Sequence, residues 1–271
     1  MRTPAPILVA PLFAPLNDEL IALLRTLGAD DWKARAVGTW TVKDVAAHLL
    51  DTTLKRLSVQ RDRYSAPLAA THGLAAIINE MNAQWVSAMA RVSPEILIDM
   101  LDRYGRQFAE YMMSVDPYEP AQWAVSWAGD ASSPNWFDIA RELTEKWHHQ
   151  QQIRDAAGRT PLYDNRYLKP VIDTFLRALP YAYRNAPAAD GTTVAFQVRD
   201  VTDCSLVRDA GKWILNEGSN GTATTTVRMN GDTAWRLFTK GLARDDARRR
   251  SEIGGDVRLA EPLFSMLAVV A

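Results

Sequence analysis

The feature that most constrains the fold of this chain is a change of hydrophobic period near Gly158. From Asn17 to Gly158 apolar residues recur at helical spacing, and beyond it they come in short alternating runs. Such a chain builds a helical layer first and a sheet-bearing one second. Asn17 can cap a helix with Leu20, Ile21, Leu23 and Leu24 on one side, ending at Gly28. Thr41 opens a second helix, with Asp44 three residues on as an acidic capping box and Val45, Leu49, Thr53 and Leu57 at helical spacing. Residues 70–92 and 93–115 read as two more helices, the latter started by Ser93 and Pro94. After a loop rich in Pro, Gly, Ser and Trp, a last long helix spans 135–157 and stops at Gly158. The four long helices that follow the first, short one make the expected four-helix bundle over residues 1–158, and bundle cores are common places for metal sites.

Residues 159–185 read as a linker and a connecting helix (167–183, broken at Pro180). Strand-like runs follow at 193–199, 204–208, 212–215 and 222–229, with Asp209-Ala210-Gly211 as a hairpin signal. Helices are expected at 232–242, with Ala234, Leu237, Phe238 and Leu242 on one face, and at 259–269. The pattern over 186–271 is α+β, with helices on one face of an antiparallel sheet. The fold class expected is therefore α followed by α+β.

A formal charge of −1 over 271 residues offers no positive field to gather phosphate, which argues against nucleic acid as a partner. The single cysteine, Cys204, excludes an internal disulfide framework and a thiolate metal cluster, and fits a reducing cytoplasm. It reads as a buried small hydrophobe in a strand. The first 15 residues are broken by Pro4, Pro6, Pro11 and Pro15 and do not read as a signal peptide. No apolar stretch approaches the roughly 20 residues needed to span a bilayer, so no membrane partner is expected. The run 244–250 is rich in Arg but balanced by Asp245 and Asp246, and reads as a solvated loop or helix end.

The chain has four histidines: His48, His72, His148 and His149. Glu145 and His149 are four apart, so they project from one face of the last helix and could grip one ion together. His148 shares its stripe with Arg141, Thr144, Gln151 and Asp155, all polar, and is expected to face solvent. His149 shares its stripe with Glu142, Glu145, Gln152, Ile153 and Ala156, as a residue at the edge of a core would. His48 lies among Ala46, Ala47, Leu49 and Leu50 on the second helix. With Glu145 and His149 it would complete a His2Glu set, which leaves coordination positions open for water or substrate. Each residue also has a plainer reading: His48 as a hydrogen-bonded packing residue, Glu145 and His149 as an ion pair on a helix face.

The stretch Trp40-Thr-Val-Lys-Asp-Val-Ala-Ala-His48-Leu-Leu resembles the second-helix signature of the DinB-like metal-binding bundles, in their mycothiol-dependent maleylpyruvate isomerase branch. Glu145-Lys-Trp-His-His149-Gln-Gln-Gln-Ile-Arg-Asp-Ala resembles that branch's last-helix signature. The segment from Gly231-Asp-Thr-Ala-Trp235 through Gly255-Asp-Val-Arg-Leu-Ala-Glu-Pro-Leu263 is similar to the sterol-carrier-protein-like domain that follows such bundles. The resemblance implies a divalent ion on His48, Glu145 and His149, zinc first, with iron or nickel as alternatives. It implies a low-molecular-weight thiol cofactor and a small-molecule substrate, and isomerisation or thiol transfer as the reaction. An arginine of the C-terminal domain is implied for the substrate carboxylates, with Arg236 and Arg228 as candidates. His148 and Gln152 are further candidates for the metal shell, and the chain is expected to act as a monomer or homodimer. The Gln-rich His-His-Gln-Gln-Gln segment departs from the common form of the motif. Two other readings stay open: an iron-dependent oxygenase or sulfoxide-synthase-like enzyme, whose ion the same ligand set suits, and a non-catalytic protein binding metal or an apolar ligand.

Overall fold

The computed structural model describes residues 2–64, 74–219 and 223–268. The chain forms two compact units that interleave in sequence. The helical unit comprises Leu8–Gln122 and Glu142–Leu162; the sheet-bearing unit takes the residues up to Ile7, Trp123–Arg141 and the chain from Tyr163 on. This differs from a single cut after residue 158. The early segments join the later half because they have partners there: the Arg177 guanidinium lies over the Trp136 ring and donates to the Pro4 carbonyl.

In the helical unit, α1 (Phe13–Arg25) begins four residues before the expected Asn17 cap. Pro15 is tolerated because the first N–H groups of a helix have no intrahelical partner. Asn17 instead faces α4 (Pro94–Ser114) at Gly105, where a Cβ would come within 2.1 Å of Asn17 Oδ1. A short hairpin, β1 (Arg35–Val37) and β2 (Trp40–Thr41), leads into α2 (Val42–Arg56). The expected capping box is formed: Asp44 N–H donates to Thr41 Oγ1 at 3.3 Å, and Thr41 N–H to Asp44 Oδ2 at 2.9 Å. α2 packs against α4 and against α3 (Leu74–Met89), and every residue from 45 to 51 is buried. The expected start of α3 at residue 70 and His72 lie outside the described residues. Ser93 caps α4 as expected, accepting from Ile96 N–H.

The last long helix, α5 (Asn135–Ala156), ends in a Schellman motif. Gly158, at φ +62°, donates to the Asp155 carbonyl and Arg159 to that of Arg154. A side chain at that φ would be strained, so the expected stop at Gly158 is real.

In the sheet-bearing unit the expected single helix 167–183 is two, α6 (Asn165–Leu176) and α7 (Leu179–Tyr183). Pro180 sits in the first turn of α7, where it starts a helix rather than breaking one. The sheet runs β5-β4-β3-β6-β7, from β3 (Thr193–Val198), β4 (Thr202–Asp209), β5 (Lys212–Glu217), β6 (Thr225–Met229) and β7 (Glu252–Gly255). Ala210 and Gly211 form the two-residue turn between β4 and β5. The expected wholly antiparallel sheet is corrected to a mixed one, because β6 pairs parallel to β3. Alternation marks a strand but does not name its neighbour, and β7, with two glycines, carries almost no alternation. Residue 222, the expected start of β6, lies outside the described residues. Helix α8 (Gly231–Phe238) buries Ala234, Leu237 and Phe238 as expected but ends before the expected residue 242, so Leu242 lies beyond it, and 244–250 folds as α9 (Arg244–Arg249). The expected helix 259–269 is only a 3-10 turn and α10 (Glu261–Phe264), with residue 269 outside the described residues. Tyr183 anchors the core here: its ring meets Phe196 and Trp213, and its hydroxyl donates to the Leu259 carbonyl at 2.7 Å. Among the described residues no helix is long and apolar enough to cross a membrane.

The Thr41 cap sets the start of the helix that carries His48. Thr41→Ala should lower unfolding free energy by about 1 kcal/mol, measured by urea denaturation, with Thr41→Ser close to neutral. An unchanged midpoint in Thr41→Ala would show the capping box to be idle.

Candidate metal centre

Seven consecutive buried residues of α2, and five of α5 (147–151), belong to helices enclosed on nearly every side. Polar side chains on such helices must find partners inside the protein. Three of them converge. His48 of α2 and Glu145 and His149 of α5 each offer a ligand atom, and the three atoms lie within 4.8 Å of one another. The His48 and His149 rings meet edge to face, with centroids 4.8 Å apart.

On α5, His149 Nε2 lies 3.3 Å from Glu145 Oε2, and its Nδ1 lies 2.8 Å from Gln152 Oε1. Gln152 Oε1 can only accept, so Nδ1–H donates to it and Nε2 is the nitrogen that would meet an ion, which is how outer partners orient a ligating imidazole. Gln152 therefore serves as the partner of His149. Trp40 flanks His48, with ring centroids 5.1 Å apart. His48 Nδ1 is buried without a hydrogen-bond partner.

Burial, aided by His149, holds the His48 imidazole at a pKa of about 3 against the ordinary 6.5, so it is neutral at physiological pH. Burial alone would raise the Glu145 carboxyl, but the hydrogen bond from His149, with the neighbouring imidazoles, outweighs it and holds it below its ordinary value. The site thus presents two imidazoles and an ionised carboxylate, a donor set that suits a divalent ion. A buried, unpartnered ring nitrogen in that cluster fits the same reading.

His148 does not face solvent as its polar stripe suggests. It is 4% exposed, its Nδ1 is 2.9 Å from the Thr144 carbonyl, and its ring lies 4.0 Å from that of His149. Two of its neighbours on that stripe are also inside the protein, since Gln151 Oε1 accepts from Leu162 N–H and Thr144 is buried, while Asp155 at the far end is exposed. Polarity was a poor guide to exposure on a helix this enclosed. His148 lies outside the converging trio. Arg236 and Arg228 belong to the sheet-bearing unit. Arg236 Nε donates to Asp232 Oδ1 at 2.7 Å and its guanidinium lies over Trp235, while Arg228 is exposed on β6. Cys204 is buried, as expected, and burial pushes its thiol well up.

Trp40, Lys146, Glu142 and Arg56 surround or neighbour the trio without having been picked out as functional residues. The first lies inside the Trp40–His48 motif. The others share the α2 and α5 stripes of the ligands, a signal that periodicity alone gives equally to many residues.

With this geometry in hand, the comparisons with known proteins are decisive on one point. Residues 13–154, more than half of the chain, match the family model described as the mycothiol maleylpyruvate isomerase N-terminal domain. The chain belongs to this family. The match spans both helices that carry the trio. None of the curated proteins matches the chain by sequence. Among solved structures, a mycothiol-dependent maleylpyruvate isomerase and a histidine-to-alanine mutant of it are similar over 88% of this chain and 91% of theirs, at TM-score 0.55 and 10% identity. At that identity the likeness speaks for the fold. A ubiquinone synthesis protein described as UbiJ-SCP2 aligns with 40% of this chain and 95% of its own at 18% identity, but a TM-score of 0.26 carries no argument.

The sign of the histidine shifts makes a prediction for the metal-free isomerase-family fold. His48 and His148, at about 3 and about 4, are both depressed mainly by burial. As pH falls below 6.5 the unfolded chain takes up protons that the folded one refuses, so stability falls. The slope is up to about 1.4 kcal/mol per pH unit for each group, and it ends near each folded pKa. The urea midpoint of chelator-treated protein should drop markedly between pH 7 and pH 5. A flat midpoint over that range would contradict the burial of these rings.

Proposed function

We propose that the chain is a divalent-metal-dependent enzyme that uses a low-molecular-weight thiol of the mycothiol kind to isomerise, or transfer a thiol to, a small molecule. The observation that carries this reading is the convergence of His48, Glu145 and His149 within the mycothiol maleylpyruvate isomerase N-terminal domain family. Zinc is the ion we propose for two imidazoles and one carboxylate. When bound, such an ion lowers the pKa of a coordinated thiol and makes it a nucleophile at neutral pH.

The chain's own residues prepare that site. His48 stays neutral because it is buried, and so keeps one ring-nitrogen lone pair for a ligand rather than a proton. Gln152 fixes the His149 ring so that Nε2 points towards Glu145. Glu145 stays ionised and supplies the negative charge that offsets part of a divalent cation. The side chain of Glu145 is the most exposed of the three, at 30%, and gives the trio an open side for an exogenous molecule. Of the two arginines proposed for a substrate carboxylate, Arg236 is the better prepared, since Asp232 and Trp235 fix its guanidinium. Tyr163 steadies that arrangement, donating to Asp232 while accepting from Trp235 Nε1.

A purely apolar cargo for the sheet-bearing unit has less support. A cavity in that unit, of about 590 Å³, is lined by Lys169, Asp173, Arg177, Asp203 and Glu217 besides apolar residues. Burying those charges under an apolar ligand would cost more than the contact returns.

The test is elemental analysis beside His149→Ala, followed by thiol-dependent turnover of a conjugated cis-dicarboxylate. The expected result is about one equivalent of zinc, lost with all activity in His149→Ala while the circular dichroism spectrum stays helical. Protein that takes up no divalent ion after reconstitution would sink the proposal. Oxygen consumption by an iron-loaded form would replace it with oxygenase chemistry.

A further inference from the structure

We propose that Lys146 is a positioning residue for the metal centre: its buried ammonium pins α5 to α2 one turn from His48 and so sets the gap across which the ligands face one another. The inference rests on the metal reading above.

The two ligand-bearing helices are joined by three successive rungs. His48 faces His149 at the first. At the second, Lys146 Nζ donates to Thr53 Oγ1 at 2.8 Å and Thr52 Oγ1 at 3.2 Å, and lies 3.5 Å from the Leu49 carbonyl. At the third, the Arg56 guanidinium meets Glu142 Oε2 at 3.0 Å. On α2 the rungs fall at 48, 52–53 and 56, and on α5 at 149, 146 and 142. Each step is one helical turn, about 5.4 Å of rise, and the helices therefore run in opposite directions in register.

The middle rung is specific in a way that apolar packing is not. Thr52 and Thr53 both donate back to the Leu49 carbonyl, so the Lys146 acceptors are anchored in the turn that follows His48. Glu142 Oε1 lies 3.6 Å from Nζ, and the Phe108 ring stands 4.7 Å away on another side. Held in this way, the Lys146 side chain is largely withdrawn from water, at 15% exposure. An apolar side chain of similar size would cost less desolvation there, but it would let the helices slide. Hydrogen bonds fix direction as well as distance, and three ligand atoms sharing one ion tolerate little sliding. The charge of Lys146 opposes a bound cation, but its field at His48 is the weakest of those acting on that ring. Geometry should outweigh repulsion.

Lys146→Met keeps the volume and removes the donors, while Thr53→Val removes an acceptor and leaves every charge in place. Zinc affinity by chelator competition, the visible spectrum of the cobalt-loaded protein and the melting curve of the metal-free protein separate the roles. Zinc affinity is expected to fall by about tenfold or more in each variant, with an altered cobalt spectrum. Thr53→Val should add little to Lys146→Met in the double variant, since both break the same rung. Wild-type affinity and spectrum in Thr53→Val would overturn the inference, whether or not Lys146→Met folds. So would tighter zinc in Lys146→Met, because repulsion would then be the larger effect. A wild type that binds neither zinc nor cobalt would overturn the metal reading and this inference with it.

Discussion

Two helices that meet through imidazoles, carboxylates, a guanidinium and an ammonium are not held by apolar contact alone. Every such group between α2 and α5 has lost water and must find its compensation inside the protein. Arg56 finds Glu142, Lys146 finds two threonines and a carbonyl, Gln150 finds the Leu16 carbonyl, and Trp147 Nε1 finds that of Leu162. Buried side-chain atoms left without a hydrogen bond here include His48 Nδ1, Glu142 Oε1 and Gln151 Nε2, of which only His48 Nδ1 belongs to the converging trio. The surrounding helices have one task, to exclude water from this seam, and Val42, Leu49 and Leu50 with Leu97 and Leu101 do so as an apolar cluster.

Much of this was legible in the residues. The Thr41–Asp44 box fixes the start of α2, and hence the face His48 presents, from four letters of sequence. Gly158 ends α5 for a conformational reason that the sequence also shows. The i, i+4 spacing placed Glu145 and His149 on one face. That His48 would meet them required the packing of α2 on α5, which periodicity does not encode. The motif around His48 supplied it by resemblance, and the family match over 13–154 covers both helices.

What could not be read has a common cause. Helix and strand periods describe an element's own faces and say nothing of which neighbour covers them. A polar stripe points His148 to solvent, but α5 is covered on its polar side too; alternation suggests an antiparallel sheet, but it cannot assign β6 to β3. The short, glycine-bearing β7 had no pattern to read. The interleaving of the two units has the same origin, since Trp136 and Arg177 are distant in sequence and joined only by the fold.

The central claim is that one ion is shared by two imidazoles and a carboxylate drawn from two helices. X-ray absorption at the zinc edge of the reconstituted protein tests it most directly. The expected result is a first shell of nitrogen and oxygen only, with the outer-ring scattering of two imidazoles, reduced to one in His48→Ala. A shell of three or four imidazoles, or one unchanged in His48→Ala, would contradict it.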